Sequence, residues 1–348
     1  MKEAIVHGHD NERLSVEIQE SPIPVPDVTQ ILIRVVVSGS NPKDWKGPVR
    51  IPAQNHTNTG DDIAGIVERV GSSVLEFKPG DRVASLHKLK TPHGSYAEFA
   101  LGEECSTFHL PAHVTFEEGA TIPLAAMTAA LGLFNSLSLP PPWCLGDASA
   151  RQNAKGGVVV YGASSAVGAF AIKLLRRAKL HPIIAVAGKA RAFVEALIDS
   201  SQGDVIVDYR KGDDAVVEGI RQAIRQGDKL KYAFDAVSHG QSYLNLSKVL
   251  EPGGYITTVT PGHDYKGISP RINLVQTNIT TAHTVNRDFA ITWFRLFYYG
   301  LQEGWLRGHP YDVIPGGLNG LQSGLEKLQS GKASAVKYVY KIGTTEGS

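Results

Sequence analysis

Residues 156–168 read Gly-Gly-Val-Val-Val-Tyr-Gly-Ala-Ser-Ser-Ala-Val-Gly, and the amphipathic run Ala169 to Ala178 follows at once. A short apolar strand (Val158 to Tyr161), a turn of very small residues and then a helix constrain this chain more than any other segment does. Small side chains let a ligand reach the main chain, and the first N–H groups of a helix have no intrahelical partner and face negative charge. The pattern predicts a cradle for a dinucleotide diphosphate made by Gly162, Ser164, Ser165, Ala166 and Val167. Of the three glycines usual in such a turn, Gly162 and Gly168 stand, and Ser165 takes the middle position. Serine permits close approach and brings a hydroxyl that can bond a phosphate oxygen. The same strand–turn–helix also occurs as plain packing in sheets that bind nothing.

The surroundings extend the pattern. Pro182 to Ala187 is a second apolar strand, and in an NAD site an acidic residue often stands at its end to bond the ribose 2′-hydroxyl. Here the strand runs into Gly188-Lys189-Ala190-Arg191, with two cations and no carboxylate. Lys189 and Arg191 would attract a 2′-phosphate that a carboxylate would repel, so the expected cofactor is NADPH. The alternative reading makes them solvated charges opening a helix. A third strand, Asp204 to Asp208, ends in Tyr209-Arg210 near the same pocket edge, and a fourth, Tyr232 to Val237, adds Val237 to the cofactor-binding candidates.

With 348 residues the chain has room for two domains, and 42% hydrophobic with 20% charged residues is the make-up of a globular protein. A net charge of +1 gives no reason to expect nucleic acid or an anionic membrane as partner. No run of eighteen apolar residues occurs, and Cys105 and Cys144 are too few for a disulfide framework, so a reducing, cytoplasmic setting is expected. Two cysteines cannot build a four-thiolate zinc site, and the 12 histidines show no local pair at ligand spacing. No metal is expected.

The first 120 or so residues read as short strands: Ile31 to Val37, Ile63 to Val70, Gly80 to Ala84 and Gly94 to Phe99, with no helix of note before about Glu117. From Phe116 to Leu133 the pattern turns helical and apolar. Ser136 to Gly157, with Pro140-Pro141-Pro142, reads as an exposed connection. Alternating elements follow: helix Phe193 to Ser200, strand Val205 to Tyr209, helix Val216 to Gln226, strand Tyr232 to Val237, helix Tyr243 to Leu250 and strand Gly254 to Val259. Ile291 to Gly304 and Leu318 to Gly331 read as helices, and Ala335 to Ile342 as a closing strand.

Several ordered pieces carry a family resemblance over nearly the full length: Asn41-Pro42-Lys43-Asp44-Trp45-Lys46, Gly60 to Gly65, Phe77 to Val83, Gly94 to Glu98, Thr121 to Ala130, the Gly162 to Gly168 turn, and Pro315 to Leu318 through Ser330 to Lys332. With these the chain resembles the medium-chain dehydrogenase/reductase superfamily in its zinc-free quinone-reductase and enoyl-reductase branch. Within it the chain is most similar to the fungal trans-acting enoyl reductases of polyketide pathways. The resemblance implies an α/β protein with a GroES-like β-barrel catalytic domain (residues 1–123 and 284–348) and a Rossmann doubly wound parallel-sheet cofactor domain (residues 124–283). It implies an unsaturated small-molecule or carrier-bound substrate, and a polyketide synthase as partner. Relatives are often dimers through the edge of the cofactor sheet near Tyr255 to Thr260, whereas the fungal ones can be monomers. Zinc-bearing relatives keep a cysteine near Asn41 and a histidine near Gly60 or Asp61, and this chain has neither.

Reduction of an electron-poor double bond needs a hydride at the β-carbon and a donor for the charge on the carbonyl oxygen. The resemblance places Lys46 against the substrate and Thr128 beside the nicotinamide. The plain readings are a surface lysine after a turn and a threonine bonding its own helix backbone. Asn41, extended before Pro42, either bonds the nicotinamide ribose or organises the turn. Asp44 and Asp62 are expected to be structural, and the aromatic residues Trp293, Phe297, Tyr298 and Tyr299 to be core or the lining of an acyl pocket. The leading expectation is an NADPH-dependent reductase of activated C=C bonds, with a quinone reductase and a non-catalytic NADPH-binding protein as alternatives.

Overall fold

Residues 1–144 and 154–342 are described by a computed structural model of the chain. Two units emerge, Met1–Met127 with Thr280–Ser348, and Thr128–Ile279. Each has its own apolar core.

The first unit opens with the antiparallel pair β1 (Lys2–Gly8) and β2 (Leu14–Glu20). There follow β3 (Gln30–Gly39), α1 (Pro42–Arg50), β4 (Asp62–Val70), β5 (Arg82–Leu86), β6 (Phe99–Glu103), β7 (Thr107–His109), α2 (Phe116–Gly119) and α3 (Pro123–Ala130). β3 pairs antiparallel with β4, from Ile31 opposite Val70 to Gly39 opposite Asp62, and with β6 on its other side. Ile31, Ile33, Val35 and Val37, on one face of β3, are all buried, while Arg34 on the other face is exposed. α3 is apolar all round and correspondingly buried.

α1 corrects the expectation of a helix-free first 116 residues. Its start is written in Asn41-Pro42-Lys43-Asp44. Pro42 takes the first helical position, where its missing N–H costs nothing, and the Asp44 carboxylate accepts the Asn41 N–H at 2.7 Å. Gly47 and Pro48 masked the helical pattern that follows. The strand expected over Gly94 to Phe99 begins only at Phe99.

The second unit alternates strictly: β8 (Val158–Tyr161), α4 (Ala166–Arg177), β9 (Ile183–Ala187), α5 (Arg191–Glu195), β10 (Val205–Asp208), α6 (Asp213–Ala223), β11 (Tyr232–Asp235), α7 (Ser242–Val249), β12 (Tyr255–Thr258) and β13 (Asn273–Gln276). The six strands are parallel, in the order β10-β9-β8-β11-β12-β13. This is the doubly wound order 3-2-1-4-5-6, which reverses between β8 and β11. The helix expected over Phe193 to Ser200 is the short α5 instead. The edge expected near Tyr255 to Thr260 is not an edge, because β13 pairs with β12 along its length. The expected connection from Ser136 to Gly157 falls partly outside the described residues.

The chain returns to the first unit with α8 (Arg287–Glu303), β14 (Tyr311–Ile314), α9 (Leu321–Gln329) and β15 (Lys337–Lys341). β15 pairs antiparallel with β3, Val339 opposite Gly39. α8 buries Trp293, Phe294 and Phe297, and Phe294 stacks on Phe108 with ring centres 5.8 Å apart, so these aromatic residues are core. Among the described residues no helix is long and apolar enough to cross a membrane.

His283 closes the same region, its Nε2 3.0 Å from Ser106 Oγ and 3.3 Å from the Leu86 carbonyl. Burial lowers its pKa from 6.5 to about 4. The ring is therefore neutral in the fold while the unfolded chain takes up a proton below about 6.5, so stability falls as pH falls through the window between these values. Urea unfolding from pH 7 to pH 4 should show a decline from this group of up to about 1.4 kcal/mol per pH unit. His283→Asn should remove that part of the slope.

Candidate active site

The turn after β8 is shaped by close approach. Gly162 has φ +78°, and a Cβ there would stand 2.6 Å from Val237 Cγ2. A Cβ at Gly168 would stand 2.3 Å from the Gly162 carbonyl oxygen. Gly162 lets the turn lie against the loop after β11, at the point where the strand order reverses, and Gly168 lets the start of α4 close on the turn. In open parallel sheets ligands bind at the carboxyl ends of the strands at that point. Ser165 caps α4, its hydroxyl accepting the Gly168 N–H at 3.1 Å. Ahead of that bond stand the N–H groups of Ala166 and Val167, the first-turn donors a helix leaves open. Ser164, Ser165, Ala166 and Val167 are all half-buried, within reach of a ligand. The loop after β11 is fixed by Asp235, a buried carboxylate accepting from Val237 N (3.0 Å), Ser238 N (2.8 Å) and Ser242 Oγ (2.6 Å). Burial raises its pKa.

At the ends of β9 and β10, Gly188 lies under the Tyr209 ring, and a Cβ at 188 would stand 2.6 Å from it. Tyr209 is half exposed. Lys189 is exposed, and Arg191 Nε lies 2.8 Å from Glu195 Oε1, four residues on along α5. Such exposed pairs are worth little, so the guanidinium stays available to a better anion. Arg210, by contrast, donates to Asp208 from both Nε and Nη2, and the pairing lowers the Asp208 pKa. It is committed within its own turn. The structure thus brings Gly162, Gly168 and Val237 together, and Gly188 with Tyr209.

In the first unit the head of α1 is bound by buried charges. Asn41 donates from Nδ2 to Asp62 (2.7 Å) and accepts at Oδ1 from Lys337 Nζ (3.1 Å), and Lys337 also meets Asp62 (2.5 Å). Asp62 accepts the Leu124 N–H as well, at 2.7 Å. Both ends of the Asn41 amide are thus engaged by neighbouring side chains. Asp44 accepts Tyr96 OH at 2.6 Å, which fits its expected structural role. Lys43 Nζ donates to the Thr59 carbonyl (2.6 Å) and pairs with Asp44 (2.8 Å) and Asp61. Burial pulls the Lys43 ammonium down, but the two carboxylates outweigh it and raise its pKa. His87 Nδ1 meets Asp61 at 2.9 Å.

Lys46 sits half-buried on α1, its Nζ 5.8 Å from the centre of the Trp45 ring, while the Arg50 guanidinium lies 5.4 Å from the same ring. Burial lowers its pKa, and the Arg50 charge adds to that. Thr128 is buried in α3, the first residue of the second unit. Sequence reasoning passed over Lys337, Lys43, Asp61, His87 and Asp235. Lys43 and Asp61 stood inside motifs already noted, whereas a lysine in an alternating strand such as 335–342 reads as solvent-facing. Among the described residues no group of three or more His, Cys, Asp or Glu side chains is placed to hold a metal ion.

Residues 27–120 match the alcohol dehydrogenase GroES-like domain. Among solved structures the chain is similar to a putative zinc-dependent alcohol dehydrogenase from Rhizobium etli (TM-score 0.78, 20% identity, 98% of both chains). It is also similar to CurK enoyl reductase (TM-score 0.74, 18% identity, 97% of this chain and 98% of that one). A GroES-like unit and a six-stranded Rossmann unit define an oxidoreductase fold of the medium-chain dehydrogenase/reductase superfamily. Over 321 residues, 92% of each chain, the sequence is 43% identical to trans-enoyl reductase fsr4 of Gibberella fujikuroi. It is 27% identical over 362 residues to trans-enoyl reductase resD of Aspergillus sclerotiorum, covering 93% of this chain and 96% of that one. The chain belongs to the enoyl-reductase branch of that superfamily, with the trans-enoyl reductases.

Removing the Lys337 ammonium leaves the Asp62 charge buried without a counter-ion. Lys337→Met is expected to destabilise the fold by about 3–5 kcal/mol in urea unfolding. Adding Asp62→Asn should recover part of that loss, since the uncompensated charge is then gone.

Proposed function

We propose that this chain is an NADPH-dependent, zinc-independent reductase of activated C=C bonds, acting on an enoyl thioester or a similar α,β-unsaturated carbonyl alongside a polyketide synthase in the cytoplasm. The observation that carries the cofactor reading is the small-residue turn at the strand-order reversal, with cations and no carboxylate at the end of β9. When bound, the nicotinamide supplies the hydride. The residues present fit such a cofactor. Gly162 and Gly168 leave the backbone accessible, and the Ala166 and Val167 N–H groups are placed for the diphosphate. Lys189 and Arg191 complement a 2′-phosphate, and the Tyr209 ring over Gly188 offers a flat apolar wall. Thr128, on a buried helix of small residues, is our candidate for the nicotinamide amide.

Lys46 is the candidate donor to the carbonyl oxygen. Charge builds on that oxygen as the double bond is reduced, and an ammonium already pressed by burial and by Arg50 gives up its proton more readily than an ordinary lysine. Asn41 acts on the position of α1 rather than on the substrate. Zinc independence is supported by the donor set around Asp61 and Asp62. Each carboxylate already meets a lysine ammonium, and Asn41 stands near where zinc-bearing relatives keep a cysteine.

Oxidation of NADPH is expected with enoyl N-acetylcysteamine thioesters and enones, and to be much slower with quinones or with NADH, followed at 340 nm over a substrate panel. Turnover confined to quinones overturns the enoyl reading. Combining Lys189→Glu with Arg191→Glu should raise the NADPH Kd by on the order of tenfold to a hundredfold, as for loss of charge-assisted bonds, and change the NADH Kd little. Equal weakening of both cofactors, measured by calorimetry, removes the 2′-phosphate assignment.

A further inference from the structure

α1 is a poor helix by itself. It has nine residues and carries Gly47 and Pro48 inside it, and an isolated helix of that length does not persist in water. Wherever Lys46 sits, it sits there because something outside α1 holds the helix. Lys43, three residues earlier, supplies one such hold. Its ammonium has three N–H groups and faces three oxygens: the Thr59 carbonyl, Asp44 Oδ1 and Asp61 Oδ2. Thr59 and Asp61 lie on the segment leading into β4, so one side chain ties α1 to the sheet. Asp61 is braced in turn by His87, just beyond β5. The His87 ring meets Asp61 at Nδ1 and the Pro92 carbonyl at Nε2 (3.0 Å). Thr91 has one hydroxyl hydrogen, which goes to the Lys88 carbonyl at 2.6 Å, so it does not serve Nε2. The ring thus bridges the Asp61 carboxylate and the segment beyond β5.

We infer that Lys43, braced through Asp61 by His87, is a positioning residue for Lys46, fixing α1 so that the Lys46 ammonium is held where the carbonyl oxygen is reduced. This rests on the reading of Lys46 given above. The anchor is rigid for a geometric reason: an ammonium shared among three fixed acceptors cannot slide without breaking one of them, and an error of about 1 Å in a reacting group already lowers rates strongly.

A double-mutant cycle between Lys43→Met and Lys46→Ala tests this, using the crotonyl N-acetylcysteamine thioester with NADPH. Lys43→Met is expected to lower kcat by on the order of tenfold with the NADPH Kd kept, and to lower it less than twofold further in the Lys46→Ala background. A loss of the same size in both backgrounds, or an undiminished kcat in a folded Lys43→Met protein, overturns the inference. Unchanged kcat in Lys46→Ala alone overturns the reading of Lys46, a result distinct from additivity. Thermal unfolding checks that each variant is folded. Should Lys43→Met unfold below the assay temperature, Lys43→Met/Asp61→Asn removes both charges together and carries the same cycle.

Discussion

Two ammonium groups, Lys337 buried and Lys43 partly exposed, hold together the part of the first unit on which the proposed chemistry rests. Lys43 gathers Thr59, Asp44 and Asp61 around the head of α1, and Lys337 gathers Asn41 and Asp62 beside it. Burying a charge is expensive unless it is paired and hydrogen-bonded, and here each ammonium meets a carboxylate and at least one neutral acceptor. The network therefore acts through specificity more than through net stability. It admits one placement of a short helix that could not hold its own shape.

The second unit solves a different problem by different means. Its cradle owes its form to the absence of side chains. Gly162 lets the turn after β8 lie against Val237, Gly168 lets α4 start close to that turn, and Asp235 holds the loop from which Val237 projects. Placing these residues at the one reversal in a parallel sheet puts open backbone donors at the only point where adjacent crossovers diverge to opposite faces. Charge enters at the rim, where Lys189 is exposed and Arg191 is only loosely engaged by Glu195, whereas Arg210 is spent on Asp208.

How far the sequence reveals this differs by kind of feature. The parallel sheet and its turn are legible because apolar strand runs and small-residue turns are local signals. α1 was hidden in a motif that does contain its own cap, Asn41-Pro42 with Asp44, since Gly47 and Pro48 erase the periodicity behind it. β13 was missed for another reason: four residues with only two apolar side chains carry little pattern, and without it the sheet edge was placed at β12. Lys337 was beyond reach. Its partners Asn41 and Asp62 are nearly 300 positions away, and no local rule says that a strand lysine points inward. Long-range polar pairing is the part of a fold that single-sequence reasoning reads least well.

That last contact has a consequence for how the protein comes into being. Asn41 and Asp62 are translated long before Lys337, the side chain that pairs with them. Until Lys337 is made, the nascent chain carries an unpaired acid in a segment destined for its interior. The first unit reaches its finished arrangement only after the whole of the second unit, which lies between these partners in the sequence, has been made.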